Sequence, residues 1–495
     1  MTLAPSMAPV LPTFVSGAKQ LLIDGRWVGA QDLCPIEVID PATGRVLSHI
    51  APGGAADVDR AVTAARRAFT GEWSRWTPHQ RRTLLSRVHD VVMANFDELA
   101  VIETLDVGAP LRRTRALADW TSQVLRFFAA QCDAATMTTG ANSLPGTVLT
   151  LKHRSPIGVV GGVVPWNAPL ISVWWTLGPA LATGCTVVLK PAEEASLTVL
   201  RVAELLIEAG VPDGVVNVVT GRGPTGRALA EHAGVDRLTF AGSIGGAQSV
   251  VRASISNFKR LQLNLGGKSP DLVFADADLD KAVPGAAMGV FANSGQACVA
   301  GSRILVQRPV YDEFVERLGS FTRGLRVGEG MDLATDLGPL ISRRLRDRVE
   351  QYIEIGREEG AELVCGGGRP TGVPEGGFFI EPTVFAGATN EMTVAREEIF
   401  GPVATVIPFS TVEDGLRLAN DTRMGLVGGV WTRDLTTAHR VSRELAAGTV
   451  WVNCYGLIDP AIGFGGHRMS DHGWKGAREH VESHLRQQAV YIDLE

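Results

Sequence analysis

A basic excess is missing from this sequence. Forty-seven Lys and Arg stand against 53 Asp and Glu, a formal net charge of −6. The positive stripe that marks a nucleic-acid binder is therefore absent, and no nucleic-acid partner is expected. Cysteines are scarce: six in 495 residues, at positions 34, 132, 185, 298, 365 and 454. None belongs to a C-x-x-C pair, which argues against a disulfide framework and against a zinc site; no metal is expected. Sparse thiols in a long chain fit a reduced, cytoplasmic setting. No charge precedes Lys19, so the basic n-region of a signal peptide is lacking, and residues 1–19 read as a loose tail. Internal repeats and low-complexity tracts are absent. Charge is also missing from Ser155 to Leu189, a run longer than the ~20 residues that span a bilayer. Pro165, Asn167, Pro169 and Pro179 interrupt that run, and its pieces read as a β-α-β unit with strands buried on both faces, so no membrane partner is expected.

What is present is a soluble-type composition, 45% hydrophobic and 20% charged, on a chain too long for one core. LLIDGRWV reads as a hairpin turning at Asp24-Gly25, and DVDRAVTAARRAF as a helix. From Ile157 strands and helices alternate: TVVLK, then LTVLRVAELLIEAG with Ser196 as N-cap and Gly210 past its end, then GVVNVVT, GPTGRALAEH, DRLTF, IGGAQSVVRASI and RLQLNL. A second series follows Asn264, with DLVFAD, SRILVQ, FFIEPTVF, VATVIPF, LVGGVWT and GTVWVN as strands. The fold class is α/β, with two Rossmann-like doubly wound parallel-sheet lobes. Two isolated strands, near 140–154 and 487–494, pair either with each other or with another subunit.

Two turns are candidate phosphate sites. Gly221 to Gly226 fits G-x-G-x-x-G between a strand and a helix, with Gly223 central. Gly242 and Ser243 end the next strand and open the next helix, where free N–H groups and a hydroxyl meet an anion. Lys190 and Glu193 follow the strand TVVL, where α/β sheets bind ligands. A carboxylate there accepts ribose hydroxyls and repels a 2′-phosphate, which favours NAD.

Seven motifs together resemble the aldehyde dehydrogenase family: PWNAPL (165–170), KPAEEAS (190–196), FAGSIGG (240–246), LGGKSPDLVFADADLD (265–280), NSGQACVAGSR (293–303), EEIFGPV (397–403) and GFGGHRMS (463–470). The resemblance covers nearly the whole chain. It implies an NAD-binding domain (20–131 and 155–263), a catalytic domain (264–462) and a small β oligomerisation arm (132–154 and 478–495), assembled as a homodimer or homotetramer. It implies Cys298 as nucleophile toward an aldehyde, with the Asn167 amide and the Cys298 N–H around the oxyanion. Ser294, Gly295 and Ala297 are read as leaving space for substrate and cofactor. Trp166, Lys190, Glu193, Ser243, Gly242, Gly266, Glu398 and Phe400 are expected at the cofactor, with Ser243 preferred to the Gly221 loop.

One departure stands out. Hydrolytic members of the family read E-L-G-G-K-S-P; this chain has Asn264 at the glutamate, and an amide cannot take a proton near neutral pH. A second carboxylate common after the GFGG motif is replaced by Lys475. Hydrolysis must then use another base, Glu398 or a water held by Asn264. Transfer of the acyl group to coenzyme A is an alternative, and a cofactor-binding structural protein is another. In the substrate pocket, Ala168 and Ala292 stand where aromatics are common, and Trp175 is expected in the wall with Tyr455 and Ile458. That pattern suits a bulky, apolar aldehyde unless Tyr455, Leu457 or Ile458 refills the space.

Overall fold

Two parallel sheets organise the chain. The computed structural model describes residues 11–31, 34–134 and 137–495; the first ten residues of the expected tail lie outside them. In the first sheet five parallel strands, in the order Arg260–Asn264, Arg237–Ala241, Val159–Val164, Thr186–Pro191 and Val216–Val218, form the centre. Both edges are antiparallel: Asp471–His472 outside Arg260–Asn264, and the hairpin Leu21–Ile23 and Arg26–Val28 at the other side. Asp24 and Gly25 both have positive φ, the turn geometry that Asp-Gly favours. Thr186–Pro191 is buried along its whole length, as expected of a strand covered by helices on both faces.

The second sheet runs Glu362–Cys365, Thr383–Ala386, Val403–Phe409, Arg303–Gln307, Pro270–Val273, Val427–Trp431 and Thr449–Val452, all parallel except the first. Of the expected strand FFIEPTVF only the last part forms. Pro382 has no N–H to give a ladder, and the segment before it bonds to loops: Phe378 N–H donates to Pro41 O at 3.0 Å and Glu381 N–H to Gly368 O at 2.9 Å.

The two isolated strands find each other. Val148–Pro156 pairs antiparallel with Leu485–Asp493 over nine residues, and Met137–Thr139 adds a short third strand. Among the described residues no helix is long and apolar enough to cross a membrane; the uncharged run is the strand Val159–Val164, the helix Pro169–Thr183 and the strand Thr186–Pro191.

The helix Phe96–Val107 carries two buried acids that serve other helices. Glu103 Oε2 accepts from Leu170 N–H at 2.8 Å and Asp106 Oδ2 from Thr198 N–H at 3.2 Å. Ser196 occupies the N-cap position of Leu197–Glu208 but donates its hydroxyl back to Ala192 O at 2.7 Å. Asp106 thus supplies the acceptor that the sequence assigned to Ser196. Burial, reinforced by the Glu103 charge, pushes the Asp106 carboxyl up to about 8. A carboxyl raised in the folded state makes the native chain bind the extra proton, so its contribution is full below the unfolded carboxyl range and is lost as pH rises toward 8. Asp106→Asn keeps an acceptor for Thr198 and removes this titration. The urea midpoint of the parent should therefore decline between mildly acidic and mildly alkaline pH, and the variant should lose part of that slope. Asp106→Ala, which orphans the N–H, should cost about 1–2 kcal/mol at every pH.

Candidate active site

The registers of the first sheet bring the carboxyl ends of its strands level. Val163 lies opposite Lys190, Phe240 opposite Val163, and Ala241 opposite Asn264. The loops bearing Trp166-Asn167, Lys190-Glu193, Gly242-Ser243 and Gly266-Gly267 therefore open from one edge, where open α/β sheets take their ligands.

Lys190 and Glu193 form an ion pair, Nζ to Oε2 3.0 Å, with the lysine buried and the glutamate half-buried. The Lys190 stem passes below the first turn of the helix Gly223–Glu231, 3.9 Å from where a Gly226 Cβ would stand. That helix packs beside Ile244–Ala253, so two N-termini face the same side. Side chains would meet nothing within 4 Å at Gly223 or Gly245. Gly221 is a different case: an added Cβ would stand 2.7 Å from the Gly53 carbonyl oxygen, so this glycine answers to packing. The Ser243 hydroxyl was expected to meet a phosphate directly. Its oxygen accepts from Gly246 N–H at 3.2 Å, capping its own helix, and its O–H is left to donate outward. Open helix N-termini beside a ribose-sized carboxylate–lysine pair match the donors and acceptors a dinucleotide needs.

On the facing side Glu398 Oε1 accepts from Gly267 N–H at 3.1 Å. Burial raises the Glu398 carboxyl; that N–H, Lys268 and Arg348 oppose it. An added Cβ on Gly266 would fall on the Glu398 carboxylate. Gly266→Ala should therefore push the flexible Glu398 carboxylate aside, raising the Kd for NAD severalfold in a fluorescence titration while leaving the urea midpoint near that of the parent. Phe400 has φ 62° and meets Trp166 edge-on at 5.3 Å, joining the two sides of the crevice.

Cys298 lies half-buried in the loop before the strand Arg303–Gln307. The approach to it is strained: Asn293, Ser294 and Gly295 have φ 57°, 56° and 72° in succession, a run that non-glycine residues hold only where the surroundings enforce it. The enforcement is visible. Asn293 Nδ2 donates to Asn167 O at 3.0 Å and to Gln296 O at 3.1 Å; Ser294 Oγ donates to Gly338 O at 2.7 Å; Gln296 Oε1 accepts from Ile341 N–H at 2.9 Å. Ser294 and Gly295 are buried, and a Gly295 Cβ would collide with the Gly401 carbonyl. The small size of Gly295 is demanded by this packing, not by room for substrate as the sequence suggested, and Ser294 is spent on a buried hydrogen bond; Ala297, half-exposed, retains that reading.

Asn167 Nδ2 donates to Gln296 O at 3.0 Å. An amide nitrogen carries two hydrogens, so one anchors the side chain to the cysteine loop and one remains for a ligand oxygen. Asn264, 8% exposed at the end of its strand, donates Nδ2 to Asp471 Oδ2 at 3.0 Å. Asp471, which sequence reasoning missed, is pushed up to about 7 by burial, against the pull of Lys475 and the Asn264 amide. The signal was available: an aspartate follows Met469-Ser470 where the related motif has glycine, in the same chain that carries asparagine for glutamate. Burial likewise raises the Cys298 thiol, opposed by Lys475 and reinforced by Glu398 and Asp471.

The pocket residues divide. Tyr455 stacks on Trp451 at 4.7 Å, donates its hydroxyl to Val299 O at 2.8 Å, and fills the space above Gly289 and Gly301. Trp175 is 4% exposed and packs edge-on against Trp120 and Phe128. Ile458 touches both that core and the small cluster containing Cys298. Ala168 precedes the helix Pro169–Thr183, and Ala292 ends the helix Leu279–Phe291 half-exposed. Among the described residues no group of acids, histidines and cysteines could hold a metal.

Residues 27–490 match the model of the Aldehyde dehydrogenase family. Aldehyde dehydrogenase 1 of Tanacetum cinerariifolium is 44% identical over 95% of this chain and 94% of its own. The mitochondrial aldehyde dehydrogenase of Homo sapiens is 42% identical over 92% and 88%. The NAD+ complex of an aldehyde dehydrogenase from Bacillus cereus superposes with a TM-score of 0.94, at 38% identity, over 97% and 98%. With a family model matched over most of its length and relatives above 40% identical along nearly all of it, the chain belongs to the aldehyde dehydrogenase family.

Proposed function

We propose that the protein oxidises an aldehyde to the carboxylic acid with NAD, through a thiohemiacetal and then a thioester on Cys298. The observation that carries this reading is one half-buried sulfur on an enforced loop tied to Asn167. The thiolate attacks the carbonyl carbon, and the oxyanion takes the second Asn167 N–H and the Cys298 backbone N–H. Trp166, Lys190, Glu193, Gly223, Gly242, Ser243, Gly266, Glu398 and Phe400 hold the cofactor, with Glu193 selecting the unphosphorylated ribose. NAD, when bound, supplies the hydride acceptor that makes a thioester reachable. Water then cleaves the thioester, oriented by the unpartnered Oδ1 of Asn264.

The substrate is a bulky, apolar aldehyde. Ala168 and Ala292 stand where rings are common, Tyr455 packs over Gly289 and Gly301, and Leu457 and Ile462 present exposed apolar surface in the adjoining loop. Residues 20–131 and 155–263 act as the NAD-binding domain and 264–462 as the catalytic domain. The three-stranded sheet of the 132–154 and 478–495 segments is the arm that joins two or four copies.

The test is NADH formation from a panel of aldehydes, with and without coenzyme A, together with mass spectrometry of the quenched enzyme. Acyl adduct on Cys298 and coenzyme A-independent turnover are expected. Strict dependence on coenzyme A would replace hydrolysis with acyl transfer, and silence across the panel would remove the enzymatic reading.

A further inference from the structure

Two helices beside the site open without a cap of their own. In Pro169–Thr183, Ala168 at the N-cap has no side-chain oxygen and Pro169 has no N–H, so Leu170 carries the first free donor. In Leu197–Glu208 the Ser196 hydroxyl is spent on Ala192 O, and Thr198 N–H, again the second of its helix, looks elsewhere. Each helix follows a loop of candidate site residues, Trp166-Asn167 before the first and Lys190-Glu193 before the second. Both N–H groups go to one helix, Phe96–Val107: Leu170 donates to Glu103 Oε2 at 2.8 Å and Thr198 to Asp106 Oδ2 at 3.2 Å. The two acids are three residues apart, hence on one helix face, and both are buried. The end of the same helix reaches the cysteine loop. Val107 and Ala109 share an apolar cluster with Ala195, Leu340 and Ile341, and Trp166 packs against it. A Gly338 Cβ would collide with the Gly108 carbonyl, and Gly338 O accepts the Ser294 hydroxyl at 2.7 Å.

We propose that Glu103 and Asp106 are positioning residues of the dehydrogenase site: Glu103 holds the Asn167 amide in register with Cys298, and Asp106 holds the Lys190–Glu193 pair at the ribose. The inference rests on Cys298 as the nucleophile and Asn167 as its oxyanion donor.

Asn167 already has two ties to the cysteine loop, Nδ2 to Gln296 O and its carbonyl to Asn293 Nδ2, each 3.0 Å. Those ties fix it to the moving partner only; Glu103 fixes the helix start three residues on to the body of the first lobe. An oxyanion site works by donors set in place beforehand, and a misplacement of about 1 Å can cost about 10²-fold. Ala192 N–H donates to Val164 O at 2.9 Å, so the two loops lie side by side while each hangs from its own acid. Burial raises the Glu103 carboxyl to about 7, opposed by the Leu170 N–H and then by Arg113. A carboxyl oxygen accepts from an N–H whether ionised or protonated. The role therefore asks for an oxygen at the right reach, not for a charge.

The experiment separates two constants in the full-length protein, kcat at saturating NAD and the Kd for NAD by fluorescence titration. Hydrogen–deuterium exchange of segments 165–172 and 190–200 is followed alongside. Glu103→Met, which keeps bulk without an acceptor, should lower kcat at least about tenfold, leave Kd near that of the parent, and speed exchange in 165–172 alone. Asp106→Ala should raise Kd severalfold, speed exchange in 190–200 alone, and lower kcat less than Glu103→Met does. Glu103→Gln, with an oxygen at the same reach, should restore most of kcat. A Glu103→Met protein with the parent's kcat overturns the proposal, as do two variants that alter kcat and Kd in the same proportion, the mark of a merely structural role. If Glu103→Met does not fold, Glu103→Asp decides: its oxygen falls one methylene short, and an unchanged kcat overturns the proposal equally. Exchange needs no aldehyde, so unaltered protection of both segments refutes the positioning roles whatever the parent oxidises. Failure of the oxidation reading is distinct and would appear as turnover without Cys298 or a parent silent toward every aldehyde.

Discussion

Cys298→Ala should lose turnover by on the order of 10³-fold or more, with the Kd for NAD unchanged in a fluorescence titration. The expectation follows from what surrounds the sulfur. Cys454 packs against the same apolar cluster, and chemistry by a generic thiol could pass to it. Its environment differs in kind: burial raises Cys454, and a backbone N–H in the Val452 strand end is all that opposes this. Cys298 has a cation in reach and an amide-bearing loop fastened to its own by two hydrogen bonds. A nucleophile without a nearby donor for the oxyanion forms the tetrahedral adduct but does not stabilise it. Residual activity within tenfold of the parent would mean that Cys454 or another group attacks, and would remove Cys298 from the mechanism.

Which parts of this site could be seen in the sequence depends on how each was built. The parallel strands were legible because burial on both faces forces continuous apolar runs such as Thr186–Pro191. Lys190, Glu193 and Ser243 were singled out because ligands gather where such strands end, and the strand registers bring their loops to one edge. Gly295 before Cys298 was misread: it looked like room for substrate, yet it is small because the Gly401 carbonyl presses on it, while the buried Ser294 spends its hydroxyl on Gly338 O. A sequence displays a residue's size but not which neighbour requires it. The Asn264–Asp471 hydrogen bond spans 207 positions and depends on an edge strand of two residues, too short to carry any period. Lys475 could be noticed only as a missing carboxylate, because its pairing with Phe464 belongs to a strand of two residues. Ser196 shows the same limit on a small scale: its position at the helix start was correct, but a buried acid on another helix does the capping.

Asn264→Glu alone should bring little gain in thioester hydrolysis, whereas Asn264→Glu combined with Asp471→Gly should accelerate it by about 10²-fold, the lower end of what a positioned base contributes. The amide of Asn264 now gives a hydrogen to Asp471 Oδ2 at 3.0 Å. A glutamate introduced there would set two carboxylates against each other in a buried site, and such a pair holds one proton between them. Asp471 is raised to about 7 even with a hydrogen-bond donor as its neighbour, so the added carboxylate would spend much of its time protonated and be a poor base. Removing the aspartate frees the glutamate to ionise. Asparagine at 264 and aspartate at 471 are then one linked substitution, each tolerable because of the other. Pre-steady-state NADH formation separates the steps: the parent should show a burst followed by slow turnover, and the double variant a steady-state rate close to its burst rate. Equal acceleration in the single and double variants would mean that Asp471 does not restrain position 264, and that the asparagine has some other origin.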